Sequence, residues 1–132
     1  MASVMELLIQ YLFLLLPLTI HLLHDLGEIG RNRSPNHPLM AATVLFCALA
    51  FGWWLHAWTR VHFWQFGLYA LAIHFALFNH LLNYFRKPRE PVFYLGNGFW
   101  DKILKSLPPQ IRVLVQAIVL GGGFYIYHKL SV

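Results

Sequence analysis

The sequence predicts an all-α membrane protein: a bundle of four transmembrane helices with one short amphipathic helix lying in the interface. Three observations carry this. Of the 132 residues 58% are hydrophobic, 17% aromatic and only 11% charged, against about 25% charged in ordinary soluble domains. Mean hydropathy is +0.55. The apolar residues fall into four long runs, and the Lys and Arg residues gather at the ends of those runs. At this length residues 1–132 form a single integral membrane domain.

A hydrocarbon core of about 30 Å needs roughly 20 apolar residues per helix. The first run covers about residues 5–26, the second 39–58, the third 63–85 and the fourth 111–127. None alternates with period two, as a half-buried strand would. Helices satisfy their own backbone hydrogen bonds where water is absent. Pro17 is tolerated in the first span with a kink. The only charge ahead of that span is Glu6, and the run ends in His and Asp. A basic n-region and a small-residue cleavage site are both missing, so the run reads as a retained helix and not a signal peptide. Cys47 is the sole cysteine and lies in an apolar run, which excludes an intramolecular disulfide and a cysteine-based metal site.

The formal net charge of +5 could suit nucleic acid, but its placement is a topology signal. Loop 1 carries Arg31 and Arg33, and loop 3 carries Arg86, Lys87, Arg89, Lys102, Lys105 and Arg112. The opposite side has only Arg60 and Lys129. The positive-inside rule therefore places loops 1 and 3 in the cytoplasm and both termini outside. The expected partner is the lipid bilayer, with room for a membrane-protein partner or homo-oligomer, and no nucleic acid. Trp53, Trp54, Trp58, Trp64, Tyr125 and Tyr127, with His56, His62 and His128, read as an outer interfacial belt. In loop 3, Pro88 and Pro91 favour an extended exit from the third helix. Asn97 is a candidate N-cap for a short helix over about 98–107, which Pro108 and Pro109 stop. Phe99, Trp100, Ile103, Leu104 and Leu107 make its apolar side, and Lys102 and Lys105 face anionic lipid. Gly121, Gly122 and Gly123 in the fourth span read as a close helix contact.

The polar residues are more informative. His21, Asp25 and Glu28 are spaced i, i+4, i+7 and share one face of the first helix, with His24 beside them. Asn79, Asn83 and Arg86 repeat that spacing on the third helix, with His80 adjacent. Both helices end on the same side, and loop 1 brings Asn36 and His37 to that level. Ionisable groups in membrane proteins face the interior and find one another, so the two stripes are expected to face each other. A structural lock is the simpler reading, with Arg86 paired to Asp25 or Glu28. Interhelical polar bonds contribute only about 0.6 kcal/mol each on average, and the cluster is larger than a lock requires.

The set His21, His24, Asp25 and His37 offers imidazole and carboxylate ligands for a divalent metal. No H-E-x-x-H is present, and His-x-x-His on one helix is a weak signal. Haem is disfavoured, because His74 is the only mid-membrane histidine and no other span offers one at matching depth. Ser34 is the only serine near the cluster, so nucleophilic hydrolysis is poorly served.

"HLLHD", "RNRSPNH", "FNHLLNYFR" and "FYLGNGFWDK" together resemble a set of small integral membrane proteins of Bacteroidota and their phages that has no assigned activity. The resemblance covers nearly the whole chain. It implies that His21, Asp25, Asn36, His37, Asn83 and Arg86 form one recurring constellation. It also implies that the position of Asn79 is more often an aspartate, so this chain lacks a carboxylate there.

Three functions follow as expectations. The first is a non-enzymatic accessory subunit or binder of lipid or a small ligand. The second is a metal-dependent membrane enzyme with Glu28 as general base. The third is a phage-type permeabilising protein, which would need a polar stripe through the membrane. The second span offers only Thr43 and Cys47 for that purpose. Whether any reaction is catalysed is not readable from these residues.

Overall fold

The computed structural model of the chain describes residues 3–86, 90 and 99–129. Among them are five helices and no strand: α1 (Val4–Gly30), α2 (His37–His56), α3 (Phe63–Phe85), α4 (Phe99–Lys105) and α5 (Pro109–Lys129). All but α4 are long and apolar enough to cross a membrane. The chain is a multi-pass, all-α membrane protein, as its composition requires. Lys87, Pro88, Arg89, Pro91 and Asn97 lie outside the described residues, as does the side chain of Trp100.

Local chemistry sets the helix ends. Ser3 and Glu6 form a capping box, in which Glu6 N–H donates to Ser3 Oγ at 3.1 Å and Ser3 N–H to the Glu6 carboxylate at 2.8 Å. This satisfies two donors that would otherwise be orphaned in the first turn. The helix then runs through the buried Pro17 to Gly30, about one turn beyond the expected end. Asn36 caps α2 by accepting from Leu39 N–H at 3.1 Å. Pro109 is the first residue of α5, where its missing N–H costs nothing. Arg112, counted in the sequence as a topology charge, donates from Nε to the carbonyl of Leu107 at 2.7 Å and so closes the turn after α4.

Short connections over 31–36 and 57–62 make α1, α2 and α3 an antiparallel series. α3 is the centre, packing against α1, α2 and α5, while α1 also packs on α2. Half of the most apolar window of α3 is buried, against 28% for α1 and α2 and 11% for α5. α5 is therefore an outer helix that leans on α3. The core is built from Leu14 and Leu18 of α1, Phe66, Tyr69 and Ile73 of α3, and Tyr127 of α5. Its lipid-facing surface carries Leu12, Phe46, Ile118 and Phe124, all more than half exposed. In α4, Leu104 is buried, Lys102 and Lys105 are exposed, and Ile103 is 45% exposed, so only part of the expected apolar side is covered.

Two expectations change here. Tyr127 is not an interfacial anchor: it is 2% exposed, because its ring packs on Tyr69 with centroids 5.1 Å apart. Trp53 and Trp58 do face outward, at 68% and 73% exposure. Of the three glycines, only Gly123 makes a close contact. A Cβ there would lie 2.9 Å from Ala72 Cβ and 3.1 Å from Tyr69 Cδ1, while nothing lies within 4 Å at Gly121 or Gly122. Gly123→Ala is expected to cost about 1–3 kcal/mol by overpacking. Gly121→Ala and Gly122→Ala should stay within about 0.5 kcal/mol of the parent. Unfolding of the three variants in one detergent separates the positions, and equal stability of all three would contradict the α3–α5 contact.

Candidate functional site

The inward face of α1 is a single stripe: Gln10, Leu14, Pro17, Leu18, His21 and Asp25 are its buried residues. Apolar side chains fill its middle, and polar ones sit toward both ends. Asp25 is 1% and His21 7% exposed. Burying such groups is expensive unless they are paired, and here they are. His24 Nδ1 lies 3.0 Å from Asp25 Oδ1, and His21 Nε2 lies 3.3 Å from Asp25 Oδ2. The other nitrogen of His21, Nδ1, lies 2.7 Å from His74 Nε2 on α3. Four side chains thus form one continuous line: His24, Asp25, His21, His74.

Stacking fixes the rings of that line. His21 and His74 are nearly parallel, 5° apart with centroids at 4.9 Å. Phe78 stacks on His21 at 4.0 Å and on His74 at 4.9 Å. Phe78 follows His74 by four residues on α3, the spacing that brings two side chains onto one face. The apolar ring covers one side of the imidazole pair and keeps it dry.

The His21–His74 contact corrects the expectation that His74 has no histidine at its depth. The first helix extends to Gly30, which leaves His21 about one turn from the middle of α1, while His74 is the central residue of α3. Direct contact between the two imidazoles leaves no space for a metal ion between them.

The two polar stripes do not pair residue for residue. Asn79 Nδ2 donates to Asp101 Oδ1 of α4 at 2.9 Å. His80 Nε2 donates to Gln116 Oε1 of α5 at 2.8 Å. Glu28 pairs with Arg31 at 3.6 Å, and Asp25 with the two histidines, so neither carboxylate takes up Arg86 as the simple lock supposed. Asn83 is buried at 2% exposure, and Arg86 caps the end of α3 through its own N–H to the Leu82 carbonyl at 2.9 Å. Asn36 serves as the α2 cap, and His37 is an exposed first residue of α2. Of the four ligands proposed for a metal, His21, His24 and Asp25 touch one another while His37 stands apart, yet among the described residues no three His, Cys, Asp or Glu side chains come together in a geometry that could hold one. No family model, no curated protein and no solved structure matches the chain. The site is therefore read from its own geometry.

A second network, missed from sequence, occupies the other end of the same α1 stripe. Tyr127 OH donates to Gln10 Oε1 at 2.5 Å. Tyr11 OH lies 3.0 Å from Tyr69 OH and 2.6 Å from His128 Nε2. The usable signal was Gln10, the only amide in the first apolar run, placed eleven residues before His21 and hence on its face. Leu14 at 0% and Leu18 at 4% exposure separate the two networks.

Chemically, the His21–His74 contact requires one nitrogen to donate and the other to accept. With Asp25 ionised and both imidazoles neutral, His21 presents Nε2–H to Asp25 and accepts at Nδ1 from His74. One further proton turns His21 into an imidazolium that donates to both neighbours and forces His74 into its other tautomer. The added charge sits directly against the Asp25 carboxylate. The line can therefore exist in two protonation states, although His21 Nε2 and Asp25 Oδ2, 3.3 Å apart, meet as a charge contact and not as a formed hydrogen bond.

Proposed function

We propose that the chain is a non-enzymatic accessory subunit of a bacterial inner membrane whose working part is the line His24–Asp25–His21–His74, where a proton is held and passed. One observation carries this: the 2.7 Å contact between His21 Nδ1 and His74 Nε2, with Asp25 on the far nitrogen of His21. Chains of carboxylate and imidazole inside membrane proteins mark proton relays. Positive-inside placement of loops 1 and 3 makes His24, the partly exposed end of the line, the cytoplasmic entry.

The other two readings have less support. A metal enzyme would need Asp25 and the histidines to converge on one point, whereas the two nitrogens of His21 face His74 and Asp25 instead. A pore would need polar groups along the whole inward face of α1, which Leu14, Pro17 and Leu18 interrupt.

The test is ¹⁵N NMR of the histidine-labelled chain in nanodiscs across a pH series. His21 and His74 are expected to change together, with one shared transition that Asp25→Asn abolishes. The His80 signal, held by Gln116, should be unaffected by that substitution. Independent titration of His21 and His74 in the parent protein would sink the proposal.

A further inference from the structure

The opposite end of the bundle holds a cleft of about 250 Å³ between α1 and α2, unrelated to the histidine line. Its walls are Glu6, Ile9 and Gln10 of α1, and Trp54, Trp58 and Thr59 at and beyond the end of α2. That volume lies below the range for a drug-sized ligand and suits a single small group. The two indoles are adjacent, with ring centroids 5.5 Å apart. They are also open: Trp54 is 46% and Trp58 73% exposed, so the cleft opens onto the surface of the bundle.

The charges favour a cation. Glu6 is the only ionisable residue in the lining among the described residues. The cleft also meets the C-terminal end of α2, whose carbonyls carry partial negative charge. Indole faces attract ammonium groups, most strongly when the site is partly desolvated. One feature opposes, the positive N-terminal end of α1. The capping bond from Ser3 N–H to one carboxylate oxygen of Glu6 takes up part of that field.

The geometry points to a site for the ammonium headgroup of a membrane phospholipid of the phosphatidylethanolamine class, held by Glu6 and the indoles of Trp54 and Trp58. A lipid fits better than a free amine because the opening lies between transmembrane helices at the level of exposed tryptophans.

Native mass spectrometry of the full chain, released from nanodiscs containing equal phosphatidylethanolamine and phosphatidylglycerol, tests this. The chain's net charge of +5 favours the anionic lipid by itself, so a preference for the ammonium lipid must come from a site. The expected result is retention of phosphatidylethanolamine over phosphatidylglycerol by about tenfold, a plausible yield for one carboxylate and two indoles. Glu6→Gln should abolish the preference without unfolding the helix, because glutamine also completes a capping box. Trp58→Leu, at an exposed position, should reduce it severalfold. Equal retention of the two lipids by the parent protein, or an unchanged preference in both variants, overturns the proposal.

Discussion

Asp25→Ala is expected to lower the unfolding free energy by about 3–5 kcal/mol, the range for breaking a buried charged pair by removing one partner. Asp25 is 1% exposed, and each of its oxygens faces a different histidine. Without it, His21 keeps His74 on one nitrogen but loses the carboxylate 3.3 Å from the other, under the ring of Phe78. Water does not readily replace a lost partner there, so the full desolvation penalty is felt. Asp25→Asn keeps the volume and one acceptor oxygen and should cost clearly less. The joint variant His21→Phe with Asp25→Leu removes both polar partners, and such replacements are often neutral or stabilising. Chemical unfolding in mild detergent reads all three. A loss under about 1 kcal/mol in Asp25→Ala would mean that the cluster is hydrated and not the dry line described. The joint variant also separates the two roles of the site: a lock tolerates an apolar replacement, whereas a proton relay loses its shared histidine transition while the bundle stays folded.

The placement of this line has a physical logic. Phe78 covers both imidazoles of the pair, while the partly exposed His24 connects the line to the loop-1 end. The Gln10–Tyr127 and Tyr11–Tyr69–His128 contacts tie α5 to α1 at the far end, where α5 otherwise rests mainly on α3. Polar bonds thus lie on either side of the apolar layer formed by Leu14 and Leu18. The far-end contacts explain why an outer helix with so little burial still has a defined rotation: Tyr127 faces in, and Phe124 and Tyr125 face out.

The four spans were legible from hydropathy alone, since length and apolar content suffice when lipid is the solvent. Boundaries were legible to about a turn, and the error at α1 had consequences. Ending that helix at Leu26 put His21 near the rim, and the partnership with His74 then looked impossible. The capping box at Ser3 and Glu6 and the continuation to Gly30 are what move His21 inward. Spacing identified His21 and Asp25 as one stripe, but spacing cannot say which way a stripe on another helix turns. Asn79 and His80 satisfy groups on α4 and α5, whose positions depend on the path of loop 3. Tyr127 was misread for a related reason: an aromatic near a helix end is an anchor or a core residue depending only on rotation. The row of three glycines hid one contact for the same reason.

Gly52→Ala is expected to be the most damaging small substitution in the chain, with a loss of about 3 kcal/mol, the upper end of the usual overpacking range. A Cβ at this position would lie 2.7 Å from the Phe63 carbonyl oxygen, 3.1 Å from Phe66 Cδ1 and 3.3 Å from Phe63 Cα. Two of those atoms are backbone, so no rotamer change relieves the clash. Contrast Gly67, where the nearest atom to an added Cβ is the flexible end of Leu49 at 3.7 Å; Gly67→Ala should be nearly silent. α2 and α3 are joined by the short connection over 57–62, so they cannot separate at this end without displacing the first turns of α3. Phe66, at 0% exposure, would be pushed with them. His74 lies about two turns further along the same helix. The substitution is therefore expected to act on the site as well: in the ¹⁵N spectrum the shared His21–His74 transition should broaden or split, although Gly52 touches neither residue. Loss of stability with an unperturbed transition would show that the α2–α3 contact and the histidine line are mechanically independent. A stable Gly52→Ala protein would contradict the close approach of α2 to the start of α3.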